Sequence, residues 1–238
     1  TLSDINEAVK FINANKNITS LYTTVYKFTK LNELGKIEYS SAVVDRLFFD
    51  FDKKKLDFLT HAKILCKHFL DANIKHVNYL SGGGFHLLPS VEIKELRNKK
   101  AAIFNAQKYF GYLLKLNLDS QTLGRVDQER RIPNSYNFKE KRFCVPVTCN
   151  ELQALNLEQL YELGKTQRFN INNISGEELL DITKFDREII TREQIDLYMR
   201  EIDVSIGENS VLLINGTNKQ IEIPPFIKSI MDASRQEW

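Results

Sequence analysis

Apolar and polar positions change period several times along the chain, and each change predicts an element. Ser3-Asp4-Ile5-Asn6-Glu7 has the look of a helix cap, and Ile5, Val9 and Ile12 follow at helical spacing, so a short first helix is expected. Leu21–Phe28 is rich in β-branched and aromatic residues and reads as a strand. Val43–Asp52, mostly apolar but ending in acids, reads as a stronger one. From Asp57 to Asn73 the positions Leu59, Ala62, Leu65, Cys66 and Phe69 keep a 3.6-residue period, which predicts a helix. Val77–Leu80 and Phe85–Leu88 read as strands joined by Ser81-Gly82-Gly83-Gly84. Glu95–Leu116 reads as a long amphipathic helix with Ile103, Ala106, Phe110 and Leu114 along one side. Short extended pieces are expected around Leu118, Arg131 and Phe143–Val147, broken by Pro133 and Pro146, with Glu151–Leu163 helical again. Beyond Thr166 the pattern changes: Asn170–Gly176 is polar and loop-like, and Arg187–Met199 looks helical. Asn215-Gly216-Thr217-Asn218 then joins Val211–Ile214 to Gln220–Ile223 as a hairpin, before a Pro224-Pro225 break and a short helix. The fold class expected is mixed α/β (α+β).

Composition supports a folded chain. Its 238 residues, 42% apolar and 11% aromatic, suffice for one large domain or two small ones with a proper core. No run of eighteen apolar residues occurs, so no spanning helix is expected. The start has neither the basic end nor the apolar core of a signal peptide. Three cysteines (Cys66, Cys144, Cys149) are too few for a disulfide framework, which points to a reducing, cytoplasmic setting. The small net charge of +2 hides an asymmetry. Residues 1–142 carry 24 basic against 15 acidic side chains, and residues 143–238 carry 9 against 16. Such a division suits a first part that meets a polyanion.

Three segments carry chemistry. Asp50 and Asp52 are two apart on a strand, so both carboxylates share one face while Leu47, Phe49 and Phe51 take the other. Hard oxygen donors held together in this way suit Mg²⁺ or Mn²⁺. The glycines of Ser81-Gly82-Gly83-Gly84-Phe85-His86 let backbone N–H groups approach an anion, and His86 emerges on the following strand. From Arg125 to Arg142 six basic residues (Arg125, Arg130, Arg131, Lys139, Lys141, Arg142) face three acids, and the Pro133 turn doubles the chain back on itself. Guanidinium forks and a lysine point charge are what a triphosphate or nucleic-acid backbone requires.

Taken together, Phe48-Phe49-Asp50-Phe51-Asp52, Ser81-Gly82-Gly83-Gly84-Phe85-His86, and Leu118-Asp119 with Arg131-Ile132-Pro133-Asn134-Ser135-Tyr136-Asn137-Phe138-Lys139 resemble the three signatures of the archaeo-eukaryotic primase superfamily, including the primase–polymerases of archaeal plasmids and viruses. The resemblance spans about residues 20–147. It implies an α/β unit joined to an RRM-like antiparallel sheet, with a catalytic core over residues 1–165 and a C-terminal accessory segment over 166–238. It implies that Asp50, Asp52 and Asp119 hold two divalent metals, Mg²⁺ or Mn²⁺. Ser81, Gly83, Gly84, His86, Arg131, Asn137 and Lys139 would bind the incoming nucleoside triphosphate; Asn137 stands where some members carry histidine. Arg125, Arg130, Lys141 and Arg142 would meet the single-stranded DNA template. The implied activity is priming and primer extension from nucleoside triphosphates.

Alternatives stay open: a gap-filling repair polymerase of the same superfamily, or a non-catalytic RRM-like binding module. The RNP-type signature of an RRM reader is absent, however. A rolling-circle nuclease would want two histidines around an apolar residue, and Gly84-Phe85-His86 has one. His61, His68 and His76, with Cys66, invite a zinc reading. On a helix, however, His61, Cys66 and His68 are offset by five and seven and do not converge, Cys144 and Cys149 are not a CxxC pair, and no four-ligand set is legible, so neither zinc nor an iron–sulfur cluster is expected. Ile223-Pro224-Pro225-Phe226-Ile227-Lys228 is similar to the Pro-Pro-Cys opening of helical domains in primase large subunits, with Phe226 in the cysteine's place. It suggests a helical or helicase region further along the same polypeptide.

Overall fold

A computed structural model describes residues 5–15 and 20–186. The cap at Ser3-Asp4 and the helix, hairpin and Pro-Pro segment expected between 187 and 238 lie outside the described residues. Helix α1 (Ile5–Asn15) is followed by β1 (Tyr22–Thr24) and β2 (Lys27–Phe28), two strands where the pattern suggested one. Val25 and Tyr26 are consecutive and both buried, which the alternation of a single half-buried strand cannot give. Residues 43–52 divide in the same way into β3 (Ala42–Val43) and β4 (Phe49–Asp52), because Leu47, Phe48 and Phe49 are buried in succession. Helix α2 (Phe58–Asp71), strands β5 (His76–Leu80) and β6 (Gly84–Pro89), and helix α3 (Lys99–Leu113) follow. Helix α3 starts at Lys99 rather than Glu95 because the Asn98 side chain accepts from the Ala101 N–H at 3.0 Å and caps it there.

The segment around Leu118 forms turns, not a strand. Next come β7 (Glu129–Arg131), β8 (Tyr136–Asn137), β9 (Arg142–Phe143) and β10 (Val145–Val147). The helix expected over 151–163 is two, α4 (Cys149–Ala154) and α5 (Leu157–Leu163), each opened by a capping box, Thr148 with Glu151 and Asn156 with Gln159. Within the polar segment near 170–176 lies a short strand, β11 (Ile174–Ser175).

The main sheet is antiparallel, in the order β10-β5-β6-β4, and β11 pairs with β5 beyond the end of β10. Strands β4 and β5 both run against β6, so β4–α2–β5 is a split β-α-β unit with β6 inserted. One face of the sheet, carrying Phe49, Phe51, Phe85 and Leu87, packs on Leu65 and Phe69 of α2 and Ile103, Ala106 and Phe110 of α3. The rings of Phe49, Phe69 and Phe110 meet at centroid distances of 5.3–6.0 Å. The architecture is therefore α+β with antiparallel sheets. Residues 166–186 are stitched to this core. Arg168 donates to Glu151 Oε1 (2.6 Å) and the Pro146 carbonyl (2.8 Å), Asn173 donates to the Asn78 carbonyl (2.7 Å), and the Asp186 carboxylate accepts from the backbone N–H groups of Arg97 and Asn98.

Candidate active-site cleft

Register places the chemistry. In the β4–β6–β5 ladder Asp50 faces His86 and His86 faces Tyr79, so these residues share the sheet face turned away from the helices. Over that face lie the β1–β7 ribbon and the β8–β9 hairpin. Between them opens a cleft of about 690 Å³ whose walls include Asp50, Asp52, Ser81, Gly83, Gly84, His86, Arg125, Arg130, Arg131, Asn137 and Lys139. Residues from three separate parts of the sequence thus meet in one place.

The acidic wall is strained electrostatically. Burial, reinforced by the charges of Asp52 and Asp119, pushes the Asp50 carboxyl up to about 7. Asp119, in the turns after α3, does not line the cleft, but it is near enough for its charge to act on Asp50. The Asp119 carboxylate accepts from the Gln121 N–H at 3.1 Å. His86 Nε2 lies 3.7 Å from Asp50 Oδ1. This contact is not an ion pair, because burial, with Arg130 and Arg131 adding to it, pushes the imidazole down to about 3.

The opposite wall is short of acceptors. Arg130 is drawn below its ordinary range by burial, and its guanidinium packs over the Tyr79 ring. Arg131 stacks on Tyr22, 4.7 Å from the ring centroid, and donates to the Tyr22 hydroxyl at 2.6 Å. Yet Arg130 Nε and Nη1, Arg131 Nη1 and His86 Nδ1 are buried with no hydrogen-bond partner. Orphaned polar atoms of this kind are rare in native structures and point to a ligand that completes them. Arg125 also lines the cleft, but its fork already grips Asp127 at 3.0 and 2.8 Å.

The glycine turn is held from behind. Asn137 donates to the Ser81 carbonyl (3.3 Å) and its Oδ1 accepts from the N–H groups of Lys139 and Glu140. Arg142 lies 4.1 Å from the Tyr161 ring centroid and donates to the carbonyls of Gly82 (3.5 Å) and Glu140 (3.2 Å). The Tyr161 hydroxyl donates to the Gly83 carbonyl at 3.3 Å. Arg142 is accordingly engaged away from the cleft, and Lys141 is exposed in the β8–β9 turn outside it. Lys139 stands exposed on the cleft wall, while the neighbouring Lys53 pairs with Glu140. Gly84 is obligatory for packing: a Cβ there would stand 2.1 Å from the Phe51 carbonyl oxygen.

Sequence reasoning missed Tyr22, whose only signal was membership of an aromatic, β-branched stretch. It missed a second grouping as well. Cys66, His76 and Cys149 converge on the helix-covered face of the sheet, with donor atoms within 4.8 Å of one another. All three cysteines are free and buried. No helix among the described residues is long and apolar enough to cross a membrane.

No protein-family model matches the chain, and no curated protein matches it. Among solved structures it is similar to the polymerase domain of Ligase D from Mycobacterium tuberculosis in complex with DNA, at a TM-score of 0.42 and 16% identity over 60% of this chain. The chain spans 59% of the length of that solved chain.

Proposed function

We propose that the protein is a DNA primase–polymerase that transfers nucleotides from nucleoside triphosphates onto a growing strand along a single-stranded DNA template. The observation that carries this reading is a pair of opposite demands in one cleft. Asp50 and Asp52 repel each other unless cations lie beside them, and Arg130, Arg131 and His86 bury N–H or ring nitrogen atoms that want acceptors. A metal-bound triphosphate meets both demands at once.

The carboxylate oxygens of Asp50 and Asp52, on one rigid strand, suit Mg²⁺ or Mn²⁺. Asp119, whose charge reaches Asp50 from outside the cleft and whose oxygens do not gather with theirs, would have to move inward to serve as the third acid. Ions held there would supply Lewis-acid chemistry, lowering the pKa of an attacking 3′-hydroxyl and offsetting charge at the transferred phosphoryl group. The chain's own residues do the positioning. Ser81 and the N–H groups of the glycine turn cradle phosphate oxygens, His86 stays neutral and contributes Nδ1, and Arg130 and Arg131 orient the leaving pyrophosphate. Lys139 closes the grip from the wall as a mobile point charge, and Asn137 and Arg142 hold the turn in shape. Arg125 and Lys141 serve the template phosphates. All of these residues fall within 1–165, the segment assigned as the catalytic core.

The test is incubation with labelled nucleotides, Mg²⁺ or Mn²⁺, and single-stranded DNA with or without a primer. Product on unprimed DNA supports the proposal. Extension of primed DNA alone moves the assignment to a gap-filling polymerase of the same superfamily, and retention without incorporation to a binding module.

A further inference from the structure

On the sheet face opposite the cleft, Cys66 from the middle of α2, His76 from the start of β5 and Cys149 from the first turn of α4 point at one another, and all three are buried. The two sulfurs are 2.9 Å apart, and His76 Nε2 lies 2.9 Å from Cys149 Sγ and 3.8 Å from Cys66 Sγ. His76 Nδ1 is 2.7 Å from the Ile74 carbonyl oxygen, so Nδ1 is the donor and Nε2 presents its lone pair to the sulfurs. An outer hydrogen bond of that kind is what orients a metal-bound imidazole. Asn78, fully buried, brings its amide within 3.4 and 3.6 Å of the sulfurs, while its Oδ1 has no partner.

We propose that Cys66, His76 and Cys149 bind one soft divalent cation, zinc above others, with the Asn78 amide beside the fourth coordination position. Two thiolates and an imidazole form the sulfur–nitrogen set that prefers zinc to the hard cations suited to the cleft. Tetrahedral zinc with Zn–S of about 2.3 Å sets the sulfurs about 3.7 Å apart, so they need to open by about 0.8 Å. A disulfide would close them to about 2.05 Å, a move of similar size in the other direction. The imidazole decides between the two. A disulfide offers His76 Nε2 neither a proton nor a charge and leaves a buried acceptor unpaired, whereas a cation takes it as the third ligand. Exchanging the two ends of the Asn78 amide, which have the same shape, would turn its orphaned oxygen into the fourth ligand. The ligands come from three elements, so the ion is structural: it would pin α2 and α4 to β5.

The full chain, purified in a non-thiol reductant without chelator, should carry near-stoichiometric zinc by elemental analysis. Cobalt-substituted protein should show a thiolate-to-metal charge-transfer band with intense tetrahedral visible bands. Zinc added to metal-free protein should raise Tm by roughly 10 °C. Cys149→Ser and His76→Gln should abolish the cobalt spectrum, and where these variants fail to fold, the three readouts on the intact chain decide. An unchanged Tm on adding zinc, a missing thiolate band, or a Cys66–Cys149 disulfide found by mass in oxidant-free preparations would overturn the site. None of these measurements depends on nucleotide transfer, so their failure leaves the cleft reading standing.

Discussion

Asp50 sets function against stability within one side chain. An unfolded aspartate ionises near 4, whereas Asp50 in the fold resists ionisation up to about 7. The fold is therefore least burdened below pH 4, loses stability as pH climbs from about 4 to 7, and carries the whole penalty above that. Asp50→Asn should raise the thermal stability of metal-free protein at pH 8 by the equivalent of roughly 2–4 kcal/mol, leave it unchanged at pH 4, and abolish nucleotide incorporation. Equal melting temperatures for both proteins at pH 8 would refute the electrostatic account. Neighbouring glycines differ just as sharply. Gly84→Ala drives a Cβ into the backbone of Phe51 and should cost about 3 kcal/mol by denaturant titration. The Cβ of Gly83→Ala instead meets the Glu140 side chain at 3.2 Å, which has to give by a few tenths of an ångström, and should cost about 1 kcal/mol or less. Both acids and the glycine turn were legible in the sequence because strand alternation and a tight turn are local properties. Tyr22 was not, since its role comes from stacking on an arginine more than a hundred positions away.

Among the elements, α2 and the β5–β6 hairpin were legible from period and glycines alone, whereas the continuous helix expected over 151–163 was not. Its break lies at Leu155-Asn156, where Asn156 caps a new helix, and a capping residue inside an apolar period is easily read as part of the run. The first of the two helices has its own lock, in which Thr148 caps Glu151 and Glu151 grips Arg168. Thr148→Ala should cost about 1 kcal/mol, read as a shift in denaturation midpoint. Burial works against the Glu151 charge, but hydrogen bonds from Arg168 and the Thr148 backbone outweigh it and hold the carboxyl below its ordinary range. Its contribution is therefore present above the ordinary carboxylate range and is lost as pH falls through the lowered value. Arg168→Met should flatten that acid limb in thermal melts.

At the scale of the molecule, the basic surplus of residues 1–142 predicts template binding governed by counterion release. With about four phosphates neutralised, affinity for single-stranded DNA should fall roughly 50-fold between 50 and 200 mM salt, measured by fluorescence anisotropy. A nearly flat salt profile would remove the template assignment. What the sequence hid at this scale is which distant segments meet. Pairing of Tyr22–Thr24 with Glu129–Arg131 hangs two arginines over the acids, and the union of Cys66 with Cys149 crosses 83 positions. Neither leaves a local period to read. The same long-range stitching bears on how short the chain can be cut. Strands β10 and β11 divide one edge of β5 between them, and Asn173 and Arg168 tie that seam to the interior. A fragment stopped at Lys165 would keep every cleft residue yet lay bare the His76–Val77 edge, an open template for a second copy to zip onto. Such a fragment should come off a sizing column as soluble aggregate, where one ending at Asp186 elutes as a monomer.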